Sequence, residues 1–346
     1  MLIVLIVLLL ICIYNIKFCY GNGYFDDYMS IEKTTSINGI FVIMVFLRHF
    51  SSYVQYINFI DYPFVIINNG LSQLIVTTFL FYSGYGIMES IKKKDYYLDK
   101  IPKYKILKTL IHFDIAIIFF VFTNIMTNNH YITKQVILAF LAWNSIGNSC
   151  WYIFAIITLY MITFISFKLC KNKFTISLNI INVLSLAYVV IFMHIKDEPS
   201  WYNTFFCYVA GMWFCLYKIK IDKFIIYNKK YVFVLFSIIV LFIASSILYV
   251  LSNKNILFYE IDAILFVLLI VLITMKVSIN NIILNWLGKH VFSIYVLQRI
   301  PMIVYDYLKI SSYNIYFYLI ISFITTILLA YVFEKILKRI DNYIIK

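Results

Sequence analysis

Charge is scarce in this chain of 346 residues: Asp, Glu, Lys and Arg together make up 13% of it. A soluble domain carries about a quarter charged residues, so the soluble class is excluded. Glycine and proline are few, at nine and four. No Pro/Gly/Ser-rich stretch divides the chain and no low-complexity tail ends it, so residues 1–346 read as a single membrane domain. The six cysteines (Cys12, Cys19, Cys150, Cys170, Cys207 and Cys215) form no CxxC pair and sit in or beside apolar runs. That pattern is neither a disulfide framework nor a metal site, and it fits small apolar packing residues. No Walker-type lysine loop, HExxH, GxSxG or GxGxxG occurs, which leaves nucleotide hydrolysis and zinc chemistry without support. No metal is expected.

What is abundant is apolar surface, at 63% of residues. Apolar runs of about 20 residues recur from end to end, the length a helix needs to cross a bilayer. The expected fold is therefore all-α, a polytopic transmembrane bundle of about 11 spans. They fall at 1–19, 36–54, 71–91, 106–126, 150–168, 176–195, 203–217, 231–251, 259–276, 285–307 and 313–334. The first lacks a basic n-region and a small-residue cleavage pattern, so it reads as a retained span rather than a signal peptide. Residues 134–146 are too short to cross and read as re-entrant or interfacial.

The net charge of +13 comes from lysines in short loops, where they act as topology signals facing anionic lipid. Nucleic acid is not an expected partner; the lipid bilayer is. Of the 29 basic residues, 23 fall on one side of the expected topology. Only Lys134, Lys196, Lys254 and Lys309 fall on the other, and Arg48 and Arg299 remain inside spans. The positive-inside rule then places the N-terminus outside and the C-terminus in the cytosol, as a multi-pass protein of the plasma membrane.

Ionisable residues inside spans carry the functional expectations, because burying them in hydrocarbon is costly. His49, next to last in the stretch "SINGIFVIMVFLRHF", is a candidate general base; the plainer role is a hydrogen bond to a neighbouring helix. Asn38 lies eleven residues earlier, about 16 Å down the helix and on nearly the same face, so the two are expected to line one cavity at two depths. Arg48 points about 100° away; it could stabilise an oxyanion or orient a carboxylate or carbonyl, against simple snorkelling to the outer head groups. Lys105 and Lys108, three apart in the densest cluster of basic residues, are candidate phosphate ligands, against a simple role as membrane anchors. His112, Asp114, Asp262, Gln298 and Arg299 are further intramembrane polar residues without an assigned partner. Gly84 and Gly86, in "FYSGYGIMES", permit close helix approach or a bend.

Six segments together resemble the acyltransferase-3 family of polytopic membrane O-acyltransferases. "TTSINGIFVIMVFLRHF" resembles its opening motif, a basic residue followed eleven positions later by a histidine. "FYSGYGIMES" is similar to its third-span segment. "YLDKIPKYKILKTLI" resembles the next basic stretch, with Lys105 and Lys108 on the paired basic positions. "CWYIFAIITLYMI", "WYNTFFCYVAGMWFCLYK" and "LNWLGKHVFSIYVLQRIPMI" are similar to its later motifs. The resemblance covers residues 31–340, and 1–30 add an extra N-terminal span. Two positions depart from the pattern: the basic residue of the opening motif is Asn38 here, and the histidine of the last motif is Gln298.

The resemblance implies transfer of an acyl group, commonly acetyl from acetyl-CoA, to a hydroxyl of a glycan or lipid-linked saccharide. His49 falls on the family's histidine and would be catalytic, with Arg48 and Asn38 as the further catalytic candidates; Lys105 and Lys108, on its paired basic positions, would bind the donor. The product would be an O-acetylated polysaccharide or its precursor, and the Ile-, Asn-, Lys- and Tyr-rich composition points to an AT-rich bacterial genome. A transporter or flippase of a lipid-linked saccharide is the competing expectation, and a non-catalytic scaffold a third. A transporter more often shows two halves with matched interrupted helices, and no internal repeat is visible.

Overall fold

The computed structural model describes residues 1–94, 96–170 and 173–344. Lys171 and Lys346, counted above on the basic side, lie outside the described residues. The first helix, α1 (Leu2–Ile13), leads into a short strand, β1 (Ile16–Phe18). Next comes α2 (Ile31–Phe50), which starts at Ser30 because the Ser30 hydroxyl accepts from the Lys33 amide, a serine N-cap. A break at Ser72 separates α3 (Tyr62–Leu71) from α4 (Thr77–Lys93). The short α5 (Tyr97–Ile101) continues through a π-helical turn, Pro102–Leu107, into α6 (Lys108–Met126). The eight-residue α7 (Thr133–Phe140) follows; at about 12 Å it is too short to cross a bilayer.

Long helices make up the second half: α8 (Trp151–Leu169), α9 (Phe174–Ile195), α10 (Phe206–Ile225), α11 (Asn228–Leu251) and α12 (Ile256–Lys276). A second strand, β2 (Val277–Ile279), pairs antiparallel with β1, Ile16 opposite Ile279. Three short helices in succession, α13 (Ile282–Lys289), α14 (Val291–Leu297) and α15 (Arg299–Tyr307), precede α16 (Ile315–Ile344). Among the described residues, eight helical stretches are long and apolar enough to cross a membrane. Of the other expected spans, α1 has only 12 residues, α2 carries Glu32, Lys33 and Arg48 within its 20, and 285–307 is divided.

Contacts between chain turns sort them into two ends. At the lysine-rich end β1 meets β2, the Lys33 ammonium donates to Ser278 at 2.6 Å, Lys168 pairs with Asp99 at 2.6 Å and Lys108 with Asp341 at 2.6 Å. At the opposite end the Met1 amine pairs with Asp61, Lys196 donates to the Trp143 carbonyl at 2.8 Å, and Asn128 donates to the Tyr307 hydroxyl at 3.2 Å.

Close crossings hold the centre. Gly84 of α4 lies against the Tyr208 carbonyl of α10, and Gly211 of α10 lies reciprocally against the Phe81 carbonyl of α4. Gly39 of α2 and Gly288 of α13 do the same with Leu284 and Thr35. Without a hydrophobic drive between helices in lipid, such small residues let backbones approach and gain dispersion contact. By contrast α11 is peripheral: of its residues only Tyr231 and Ser245 are buried. Asp262 of α12 accepts from Ser245 and Ser246 of α11 and so fastens this outer helix.

Candidate active site

The last turn of α2 carries His49 into a cavity of about 440 Å³ at the end opposite the lysines. The facing wall is the segment between α7 and α8, compacted by left-handed backbone at Ala142 and Gly147. It braces itself: Ser145 donates to the Asn148 carbonyl at 2.6 Å, the Ile146 amide donates to Asn148 Oδ1 at 2.9 Å, and Asn124 donates to the Ile146 carbonyl at 2.8 Å. This bracing sets Ser149, whose Oγ lies 3.2 Å from His49 Nε2. The helix α8 starts immediately after, and its N-cap Cys150 provides no side-chain cap, so the first-turn amides lack that partner.

Arg299, at the start of α15, lines the same cavity and donates from Nε to the Tyr53 hydroxyl at 3.2 Å. Across the mouth, the Lys196 ammonium lies 4.1 Å from the Trp143 ring centroid and 4.0 Å from that of Trp201. Burial between the rings pulls this ammonium below its usual range, with Glu198 opposing. Aromatic faces and polar groups (Asn144, Asn148, Asp197 and Glu198) thus share one space.

A second cavity, of about 340 Å³, opens at the lysine-rich end. Lys105 and Lys108 both line it, as do His112 and Asp341. Asp341 of α16 accepts from Lys108 at 2.6 Å and sits 2.8 Å from His112 Nε2. No acidic residue among those described forms an ion pair with Lys105. The π-helical turn just before α6 carries Lys105, and π-bulges recur at functional sites. On the far wall, Glu334 accepts from Ser293 at 3.0 Å and lies 3.3 Å from His290.

Between the cavities sit Tyr152 and Tyr295, with ring centroids 5.3 Å apart, and the Tyr295 ring lies 6.5 Å from that of His49. Ser293 lines one cavity and Arg299 the other. The two are six positions apart, about 9 Å at helical rise.

The sequence-derived candidates divide accordingly. Arg48 faces away from the His49 cavity and donates to Asn69 at 2.9 Å. Arg299, and not Arg48, lines the cavity beside the histidine. Asn38 does not line that cavity, and Val45, on the same face between it and His49, is 2% exposed. The expected face is therefore packed shut below His49. Asn38 Oδ1 is buried there without a hydrogen-bond partner. Asp262 is committed to α11, and Asp114 keeps one buried oxygen without a partner. Gln298 is wholly buried and donates to the Tyr295 carbonyl at 3.2 Å. Ser149, Trp143, Lys196, Trp201 and Asp341 were not anticipated; they reach the cavities only through the fold.

No curated protein and no solved structure matches the chain. The family model for the acyltransferase domain matches residues 36–335, from the first buried turn of α2 to late in α16. It takes in the whole lining of the His49 cavity and most of that of the second, whose Leu337, Lys338 and Asp341 lie just past the match; the chain therefore belongs to the acyltransferase-3 family, as an enzyme that transfers acyl groups within a membrane.

Proposed function

We propose that the protein moves an acyl group, acetyl in the first instance, from acyl-CoA to a hydroxyl of a glycan or lipid-linked saccharide. One observation carries this reading. The cavity with Lys105 and Lys108 and the cavity with His49 open at opposite ends and approach each other at Tyr152 and Tyr295. Ammonium groups suit the phosphates of the donor, whose thioester on a flexible arm would reach toward His49. The tryptophan-rich cavity suits a saccharide, whose C–H faces pack on rings while its hydroxyls meet Asn148, Asp197 and Glu198. His49 would take the acceptor hydroxyl proton as the oxygen attacks the acyl carbonyl, and Arg299 would stabilise the oxyanion. The lysine-rich end faces the cytosol in this reading, and the membrane is the plasma membrane.

Sealed vesicles given labelled acetyl-CoA on the lysine-rich side test it. Label should enter saccharide on that side's supply alone; saccharide that crosses unmodified, with no label incorporated, would sink the reading in favour of transport.

In the same assay, replacing Lys105 and Lys108 together by alanine should raise the donor KM while kcat stays nearly intact, because phosphate contacts hold ground and transition state alike. An unchanged KM would reduce both lysines to membrane anchors. The two arginines should separate more sharply. Arg299→Ala is expected to slow transfer by about 10²–10³, the usual loss for one oxyanion donor. Arg48→Ala, hydrogen-bonded outside the cavity, should stay within about threefold, since its pairing with neutral Asn69 is a modest exposed contact. Equal losses for both would overturn the assignment of Arg299.

A further inference from the structure

We propose that Ser149 is a covalent acyl carrier, so that transfer runs through an acyl-serine intermediate; this rests on the acyl-transfer reading above. Ser149 Oγ is 3.2 Å from His49 Nε2, the nucleophile-to-base contact that activates a hydroxyl. Both side chains line the open cavity, yet Ser149 is only 7% exposed, so bulk water has little access to an ester formed there. The hydroxyl sits at the uncapped start of α8 with Arg299 on the same cavity wall. Helix-end amides and a guanidinium are the groups that stabilise a tetrahedral oxyanion.

The layout gives the intermediate a purpose. Donor and acceptor approach from opposite ends, with Tyr152 and Tyr295 between them. A one-step transfer requires both substrates to meet at His49 with the tyrosines displaced. An acyl-serine lets the donor leave and the aromatic pair close before the acceptor enters.

In the first half-reaction His49 Nε2 takes the Ser149 proton as Oγ attacks the thioester carbonyl. The C–O bond forms, the C–S bond breaks, and the thiolate of CoA leaves with the proton from His49. In the second, the acceptor hydroxyl gives its proton to Nε2 and its oxygen attacks the ester carbonyl. The bond from the acyl carbon to Ser149 Oγ then breaks, and Oγ recovers the proton. The sum is acyl-CoA plus alcohol giving CoA thiol plus ester.

The test uses the full chain in lipid nanodiscs with labelled acetyl-CoA and no acceptor, followed by quenching and peptide mass mapping. One acetyl group should appear on the peptide containing Ser149, and added saccharide should chase it off. Ser149→Ala should carry no label and lose transfer at least about 100-fold. Ser149→Cys, which keeps size and geometry, should accumulate a thioester that neutral hydroxylamine cleaves, whereas the serine ester resists it. Thermal unfolding of each variant separates loss of the carrier from loss of the fold. Label on His49 instead, or Ser149→Ala transferring within about threefold of wild type, overturns the carrier and leaves the acyl-transfer reading standing. A wild-type protein that takes no acetyl from acetyl-CoA, with or without saccharide, overturns both.

Discussion

His49→Gln is expected to lower acyl transfer by about 10²–10⁴ while the protein inserts and folds as before. Glutamine keeps much of the volume and can still hydrogen-bond Ser149, but it takes no proton near neutral pH. The loss of a general base costs that much in rate, far more than a packing change at the rim of an open cavity. The His49 ring is half-buried beside Tyr295 and faces Ser149 rather than the apolar core, so the exchange leaves the helix packing alone. Initial rates at saturating donor, with thermal unfolding as the control for folding, give the comparison. A glutamine variant that transfers at near wild-type rate makes this histidine structural. The base must then be sought at His112 or His290, both at the lysine-rich end.

The second large effect concerns the fold. A methyl placed on Gly84 would lie inside the van der Waals distance of the Tyr208 carbonyl, and one on Gly211 inside that of the Phe81 carbonyl. Both obstacles are helical backbone and cannot rotate away, so α4 and α10 would have to separate along their shared crossing. Overpacking of this kind costs about 1–3 kcal/mol or more per site. The two positions are reciprocal, so Gly84→Ala with Gly211→Ala should abolish recovery of monodisperse protein. Gly86 meets nothing within 4 Å. Gly86→Ala should therefore be neutral or raise stability by up to about 1 kcal/mol, through better helix propensity. Detergent-solubilised yield and unfolding temperature decide the matter, and indistinguishable behaviour of Gly84→Ala and Gly86→Ala would defeat the argument.

Those two glycines show where sequence reading stops. They stand two residues apart in one segment, and either could have marked a close approach. Helical geometry turns them about 200° from each other, so only one can face a given neighbour, and the sequence does not say which neighbour exists. The same limit governs the site. One residue along α2 rotates the side chain by about 100°, which is why Arg48 was expected to diverge from His49, and it does. Asn38 lies on the same face as His49 by the same arithmetic, but packing closes that face between them, where Val45 is buried. Periodicity within a helix cannot reveal what covers it.

Composition and periodicity by themselves determined that this chain is an all-α membrane protein, that its basic residues gather at one end, and that His49, Lys105 and Lys108 are polar groups set into apolar helices. These are local properties, because the cost of placing charge or an unsatisfied backbone in hydrocarbon acts on every residue in turn. Tertiary structure alone decided that Ser149, a hundred residues from His49 in sequence, and Arg299 stand in the histidine's cavity, and that Asp341 is held on Lys108. Such pairings depend on which helices cross and at what distance. That is set by backbone contacts at a few small residues, and it leaves no period in the sequence to read.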